Sequence, residues 1–600
     1  MKRGSSVYVP LLLPCNCTLQ LHLALLSGSM ITKPRKGASS AFAVLARVKR
    51  KEEPMTASDS TELPSGGNDC LSAKARRFFL AGVALYVCLF GFNSLARMRN
   101  FSPDSIGYVD AARNMVAGHG FSTSIHTVEE LEALADARRP APLTIWPPLY
   151  PLLVAALSMV GLSAPDAALV VTVLSGGLIL LATYLLARTL FDELVACASV
   201  AVLLVCGHFV RVVSFAWSEP TAIACALFSL FFMVRPREKG GERIWAPLLA
   251  GLFAGLAFAT RYGMLPLAVV GVVAQLERKD AKRTAASLAL FLGGFLVLAG
   301  PVVGRNLALS GHLLGPPRPP SDRGLLRNLF DLYASMASYW LPRPVLHGLL
   351  QVLLFWVAAI YLGVRLCRKR FRHAFRAAFR EVTCDGRRGL LALWFAGYLI
   401  FIIWCRTRVY LDPLGPDPRL VSPATIPLAI LVVALAVAAS EKWRGERLVR
   451  LAFVLLGLGL MGHAAAAVLG KSVADCETRI GGSERLTWIA ENTTGNNLII
   501  GQRVAAVPFC YPGRHVINFY RIPFPEKHLR YDAVMDYVRN YRDQYDQAFL
   551  IIWKPPKNVD WDKGLGPFIT DIVQGRLDPY PSITALHEVG DGYIFELRSD

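Results

Sequence analysis

Apolar residues along this chain gather in blocks of roughly 15–20 positions that carry almost no charge. Inside hydrocarbon a segment must satisfy its own backbone hydrogen bonds, so such blocks are read as helices. The first is 78–96. Further candidate spans are 167–187, 194–212, 220–235, 245–260, 263–277, 285–303, 346–364, 389–405, 420–439 and 450–470, which makes eleven. A further apolar segment, Leu149–Gly161, is too short to cross about 30 Å of hydrocarbon and reads as a helix lying on the outer surface.

The polar intervals fix an expected sidedness. Lys74, Arg76 and Arg77 precede the first block and place the N-terminus in the cytoplasm. The loops 235–243, 277–283, 365–388 and 441–450 are all rich in Lys and Arg, the third holding nine bases against two acids. All four fall on the cytoplasmic side only if 149–161 does not span. These loops also account for the formal net charge of +20, so nucleic acid is not an expected partner. The nine-base loop is expected to sit on anionic lipid head groups. Overall 54% of residues are hydrophobic and the mean hydropathy is +0.40, above the 45–50% or so of soluble chains.

The expected organisation has three parts. Residues 1–76, rich in Ser, Pro, Gly and Lys, read as a disordered leader or as an over-long gene start, with Met30 or Met55 the true one. Residues 77–470 form the membrane domain, with 97–166 as its first external loop. Residues 471–600 are more polar and come out on the periplasmic side. They alternate helix-like pieces (Ser483–Asn492, Tyr531–Tyr541) with β-like runs (Asn497–Gly501, Ala548–Trp553, Tyr593–Leu597), the pattern of a small α/β domain. The 12 cysteines show no metal-binding spacing, and a Cys476–Cys510 disulfide in the tail is compatible with that compartment. The absence of a fixed-period repeat argues against an inverted-repeat transporter.

The stretches with candidate chemistry sit at the outer ends of spans. Ser102-Pro-Asp-Ser-Ile-Gly-Tyr108 puts a carboxylate, Asp104, just beyond the first span, and the loop closes with Trp146-Pro-Pro-Leu-Tyr-Pro151. Ser218-Glu219-Pro220 opens a later span with an acid. Thr260-Arg261-Tyr262-Gly263 breaks two spans, Gly300-Pro301 runs on through Arg305-Asn306, and Asp417-Pro418-Arg419 precedes the run 420–439. In this order and sidedness the motifs resemble those of the GT-C fold membrane glycosyltransferases, which include the protein O-mannosyltransferases and the lipid A aminoarabinose transferases. Trp488-Ile489 through Thr493 is similar to the opening of the periplasmic tail in bacterial relatives. One departure stands out: the family often has paired acids in the first loop, whereas Asp104 is followed by Ser105, and the next acid is Asp110.

The resemblance implies an enzyme of the inner membrane that moves a sugar from a polyprenyl-phosphate donor to a lipid, glycan or protein acceptor on the periplasmic face. It assigns catalysis to Asp104 and Glu219, and substrate or phosphate binding to Arg261, Tyr262, Arg305, Asn306 and Arg419. If a divalent cation such as Mg or Mn takes part, Asp104 and Glu219 are its expected ligands. The chemistry is consistent on its own terms: a carboxylate can take the proton of an attacking hydroxyl, and guanidinium forks suit a departing phosphate. Plainer readings stand beside these. Asp104 can cap a helix, Glu219 can do so ahead of a proline, and each arginine can snorkel to the interface. The competing function is a transporter or flippase for a lipid-linked glycan, which would not need the first-loop carboxylate.

Overall fold

The structure is a computed structural model. It describes residues 73–126, 139–235, 245–276, 281–315, 324–340, 369–383, 386–408, 418–442, 483–501, 504–518, 538–539, 544–553, 583–590 and 592–598, with single positions at 574 and 576. The chain divides into two compact units, Met1–Asn68 and Asp69–Asp600. Everything described lies in the second. The leader up to residue 72, the expected spans 346–364 and 450–470, Cys476 and most of Tyr531–Tyr541 fall outside the described residues.

Five described helices are long and apolar enough to cross a bilayer: Arg76–Met98, Ala164–Leu190, Ala281–Ser310, Gly386–Thr407 and Pro418–Ala438. The expected blocks at 220–235, 245–260 and 263–277 form shorter apolar helices, Glu219–Val234, Trp245–Thr260 and Tyr262–Leu276. The block at 194–212 departs from expectation. It is two helices, Glu193–Val205 and Gly207–Ser214, bent by 71° at Cys206. The second half carries His208 and Arg211, and a helix with an exposed Arg211 on one side is better served by turning out of the bundle than by continuing through it. Leu149–Met159 is a helix of 11 residues, or about 16 Å at 1.5 Å per residue.

Small residues set the helix spacing. Helix α8 (Trp245–Thr260) lies so close to α10 (Ala281–Ser310) that a Cβ on Gly251 would meet the Phe291 carbonyl oxygen at 2.0 Å. With Gly255 one turn on, this is the small-xxx-small contact by which membrane helices approach backbone to backbone. Ahead of the Gly386–Arg408 helix, Lys369–Thr383 forms the expected basic segment, with Arg376 and Arg380 exposed and Ala378 and Val382 buried.

The described residues after the first span form regular elements. Helix α2 (Pro103–Val116) starts at Ser102, whose hydroxyl accepts from Ser105 N, while Ser102 N donates to Ser105 Oγ, completing a capping box. Asp104 therefore sits in the first helical turn and is not the cap. Three two-residue strands follow: β1 (Ser122–Thr123), β2 (Ile125–His126) and β3 (Ala141–Pro142), with β1 and β3 antiparallel.

Residues 483–598 supply helices Glu484–Asn492 and Ala506–Cys510 and strands β4 (Asn497–Gly501), β5 (Val516–Asn518), β6 (Gln547–Trp553), β7 (Ile583–Val589) and β8 (Gly592–Leu597). Three of these strands match the expected β-like runs. The six-stranded sheet has the order β2-β5-β4-β6-β8-β7. Its first strand is borrowed from the first loop: β2 pairs in parallel with β5, Ile125 opposite Val516 and His126 opposite Ile517. One apolar cluster fills the space below, joining Phe101, Ile106 and Val109 to Ile489, Ile499, Phe509 and Val516.

Candidate active site

Two loops bring two helix starts together. Asn100 forms a parallel bridge with Phe215, and Ala216 N donates to Asn100 O at 3.1 Å. Helix α2 leaves one loop and α7 (Glu219–Val234) leaves the other, so Asp104 and Glu219 occupy neighbouring helix N-termini. Acids in a first turn are favoured by the helix dipole.

Two arginines close the set. Arg419, from the short turn Pro418–Val421, places Nη1 2.7 Å from Asp104 Oδ2 and Nε 3.6 Å from Glu219 Oε1. Arg261, at the break between Trp245–Thr260 and Tyr262–Leu276, places Nη1 2.9 Å from Glu219 Oε1 and donates a hydrogen bond to Ser218 Oγ at 3.1 Å. Four residues from distant parts of the chain thus form one chain of ion pairs: Asp104, Arg419, Glu219, Arg261. Its two ends differ. Asp104 is 28% exposed, whereas Glu219 is 2% exposed. Burying a carboxylate costs several kcal/mol unless it is paired, and the two guanidinium groups supply the pairing. Both Glu219 carboxylate oxygens are fully buried, and Oε1 is held by the two arginines rather than by directed hydrogen bonds.

Aromatic side chains hold this arrangement in place. Arg419 lies over the Trp217 ring at 4.9 Å, and Trp217 Nε1 donates to Ser102 Oγ at 2.6 Å, tying the arginine's platform to the cap of α2. Tyr108 is one turn beyond Asp104, and its hydroxyl is 2.9 Å from Ser218 Oγ. Burial pushes the Tyr108 phenol well above its ordinary pKa, so it stays a neutral hydrogen-bonding group. Gly107 makes room for this corner, since a Cβ there would strike the Trp146 ring at 2.3 Å, and Trp146 packs on Tyr108.

The remaining candidates form a second set. Arg305 donates from Nη1 to Leu143 O and from Nη2 to Phe121 O, both at 2.8 Å, and lies over the Phe121 ring. Tyr262 OH donates to Thr144 O at 3.2 Å, and Asn306 Nδ2 donates to Tyr262 OH at 2.7 Å. These three side chains hold both arms of the first loop, beside β1 and β3, and are not in the ion-pair chain. Ser102, Trp217 and Ser218 support the site without having been singled out as candidates from the sequence. Their signal was available: Trp217-Ser218 directly precedes Glu219, and Ser102 starts the Asp104 helix.

The two expected metal ligands, Asp104 and Glu219, both face guanidinium groups. Among the described residues no three His, Cys, Asp or Glu side chains converge. Each carboxylate has one oxygen ion-paired to an arginine, Asp104 Oδ2 to Arg419 and Glu219 Oε1 to Arg261 and Arg419.

Comparisons with known proteins bear on the fold. The sequence profile of the family described as dolichyl-phosphate-mannose-protein mannosyltransferase matches residues 146–303, a stretch that contains Glu219, Arg261 and Tyr262. No curated protein matches by sequence search. Among solved structures the chain is similar to ArnT from Cupriavidus metallidurans bound to undecaprenyl phosphate, with 14% identity, a TM-score of 0.55, and 88% of this chain and 98% of that one covered. It is also similar to the oligosaccharyltransferase AglB from Archaeoglobus fulgidus in complex with an inhibitory peptide and a dolichol-phosphate, with 10% identity, a TM-score of 0.51, and 80% and 70% covered. The same archaeal protein in complex with Zn and sulfate gives 12% identity, a TM-score of 0.50, and 79% and 68% covered. The chain carries the fold of these GT-C glycosyltransferases, as its motifs led us to expect, and is an integral membrane protein.

Proposed function

We propose that this protein is a glycosyltransferase that takes a sugar from a polyprenyl-phosphate donor and passes it to an acceptor hydroxyl at the periplasmic face of the inner membrane. The observation that carries this reading is the ion-pair chain in which two carboxylates and two guanidinium groups share one site. Support comes from the fold, which is shared with one protein solved with undecaprenyl phosphate and another solved with dolichol-phosphate.

In the proposed reaction the acceptor oxygen attacks the anomeric carbon, and the bond from that carbon to the phosphate oxygen breaks. The acceptor proton passes to the Asp104 carboxylate, the more exposed of the two acids. The electron pair leaves with the lipid phosphate, whose growing negative charge falls to Arg261 and Arg419. Both guanidinium groups are already ion-paired, and Arg419 is also stacked on Trp217, so they need little reorganisation to accept it. Glu219, paired with both arginines and buried beside them, holds the two guanidinium groups in place and so assists in positioning the acceptor. Tyr262, Arg305 and Asn306 act through the loop carbonyls they hold.

The phosphate assignment is tested by binding. The Arg261→Ala protein, inserted in membranes, is expected to lose undecaprenyl phosphate affinity by about tenfold or more, the scale of a lost charge-assisted pair. Undiminished affinity in that variant removes Arg261 from the phosphate site.

A further inference from the structure

Helix α2 has two working faces. At about 100° per residue, Tyr108 lies beside Asp104, Arg113 lies opposite it, Asp110 is about 120° round the helix, and Asn114, about 80° round, sits at the edge between the two faces. The first face meets the ion-pair chain. The second is bound to the first loop and the C-terminal segment by direct hydrogen bonds.

Asp110 is 3% exposed, and its Oδ2 accepts from Thr123 Oγ1 and from Ser124 N, each at 2.8 Å. Asn114 Nδ2 donates to Ser122 O at 3.3 Å and to Ser124 Oγ at 3.2 Å. Ser124 passes the connection on, because its carbonyl accepts from Val516 N at 3.0 Å, where β2 meets β5. Arg113 reaches the C-terminal segment without an intermediary. Its Nη1 donates to Pro508 O at 3.0 Å and to Phe509 O at 2.7 Å, with the guanidinium 5.7 Å from the Phe509 ring centre. Phe509 in turn packs on Phe101, just before the cap of α2.

We propose that Asp110 and Arg113 are positioning residues: they fix the roll of α2 against the first loop and the C-terminal segment and so place the Asp104 carboxylate in the ion-pair chain. This rests on the reading of Asp104 as the base. The lever is short. A carboxylate about 6 Å from a helix axis moves about 1 Å for a 10° roll, and a 1 Å misplacement can cost about a hundredfold in rate. The same geometry gives Asp110 a role different from that of Asp104 six residues earlier. Its described partners are donors, and burial raises its proton affinity against their pull. An amide oxygen can accept the same two bonds, so the positioning is assigned to the hydrogen bonds and not to the charge that Asp110 presents to Arg113.

The test uses the full chain in membranes and the cells' own extracted polyprenyl-phosphate-linked sugars, with release of undecaprenyl phosphate as the readout. Asp110→Asn is expected to keep turnover within about threefold of the wild type. Asp110→Ala and Arg113→Ala should lower kcat by about tenfold to a hundredfold while leaving KM for the lipid donor within about twofold. Arg113→Lys, which retains a donor, should recover part of the loss. The inference is overturned by an inactive Asp110→Asn, which makes the charge itself essential, or by wild-type kcat in Arg113→Ala. A change confined to KM also overturns it. Each variant counts only if it binds undecaprenyl phosphate with wild-type affinity; should Asp110→Ala fail to fold, the two Arg113 variants decide. Asp104→Asn run alongside separates the two levels. Full turnover there removes the transferase reading itself, whereas an inactive Asp104→Asn beside an unaffected Arg113→Ala removes only the positioning role.

Discussion

At the scale of single residues, charge and burial decide what each group around the site and the first loop can do. Glu219 keeps its place at 2% exposure because two guanidinium groups stand beside it. His126 has no such help. It is buried at the β2–β5 junction with Nε2 3.3 Å from His515 Nδ1, and burial, with His515 adding to it, holds its pKa down to about 3 from 6.5. Between those values the unfolded chain binds more protons than the folded junction, so the junction is stable near neutral pH and weakens as pH falls from 6.5 towards 3. At pH 5 the loss is about 2 kcal/mol relative to pH 7, from 1.36 kcal/mol per unit. Hydrogen exchange at Val516 N and Ser124 N at the two pH values checks this: exchange that accelerates at pH 5 beyond the intrinsic rate is expected, and unchanged protection contradicts it. Some of this scale was legible in the sequence. Asp104, Glu219, Arg261 and Arg419 each stood out as a charge at the end of an apolar block. That Arg305 would turn to carbonyls, while Arg419 turned to carboxylates, was not legible, because both read as a lone arginine at a span end.

At the scale of elements, the spans were readable because a lipid-facing helix must be continuously apolar. The bend at Cys206 and the borrowed strand β2 were harder to read, for different reasons. The bend falls inside a block whose average hydropathy hides His208 and Arg211. The strand is two residues long, and its partner lies some 390 positions away, so no local periodicity marks it. The α8–α10 contact sits between these cases, since Gly251 and Gly255 carry the small-xxx-small spacing openly. Gly251→Leu is expected to cost about 1–3 kcal/mol, the scale of an overpacked core, and to lower the melting temperature in detergent by several degrees. Gly293→Leu on the neighbouring helix, where a Cβ meets nothing within 4 Å, serves as the control. Equal melting of the two variants would rule out the close backbone contact as a source of stability.

At the scale of the whole molecule, the helical bundle and the C-terminal sheet meet around one short helix. The bundle contributes Glu219, Arg261 and Arg419 to its front, and the C-terminal segment holds its back, through β2 and Ser124 at the sheet and through Arg113 at the Ala506–Cys510 helix. The central claim is that the acid at the start of this helix removes the proton of the acceptor. It is tested most directly by Asp104→Asn in the full-length protein, with membrane insertion and undecaprenyl phosphate binding verified first. Release of undecaprenyl phosphate from the cells' own lipid-linked sugars is then measured with acceptor present. The account predicts release reduced by about a hundredfold or more, the share of a positioned general base; release at the wild-type rate contradicts it.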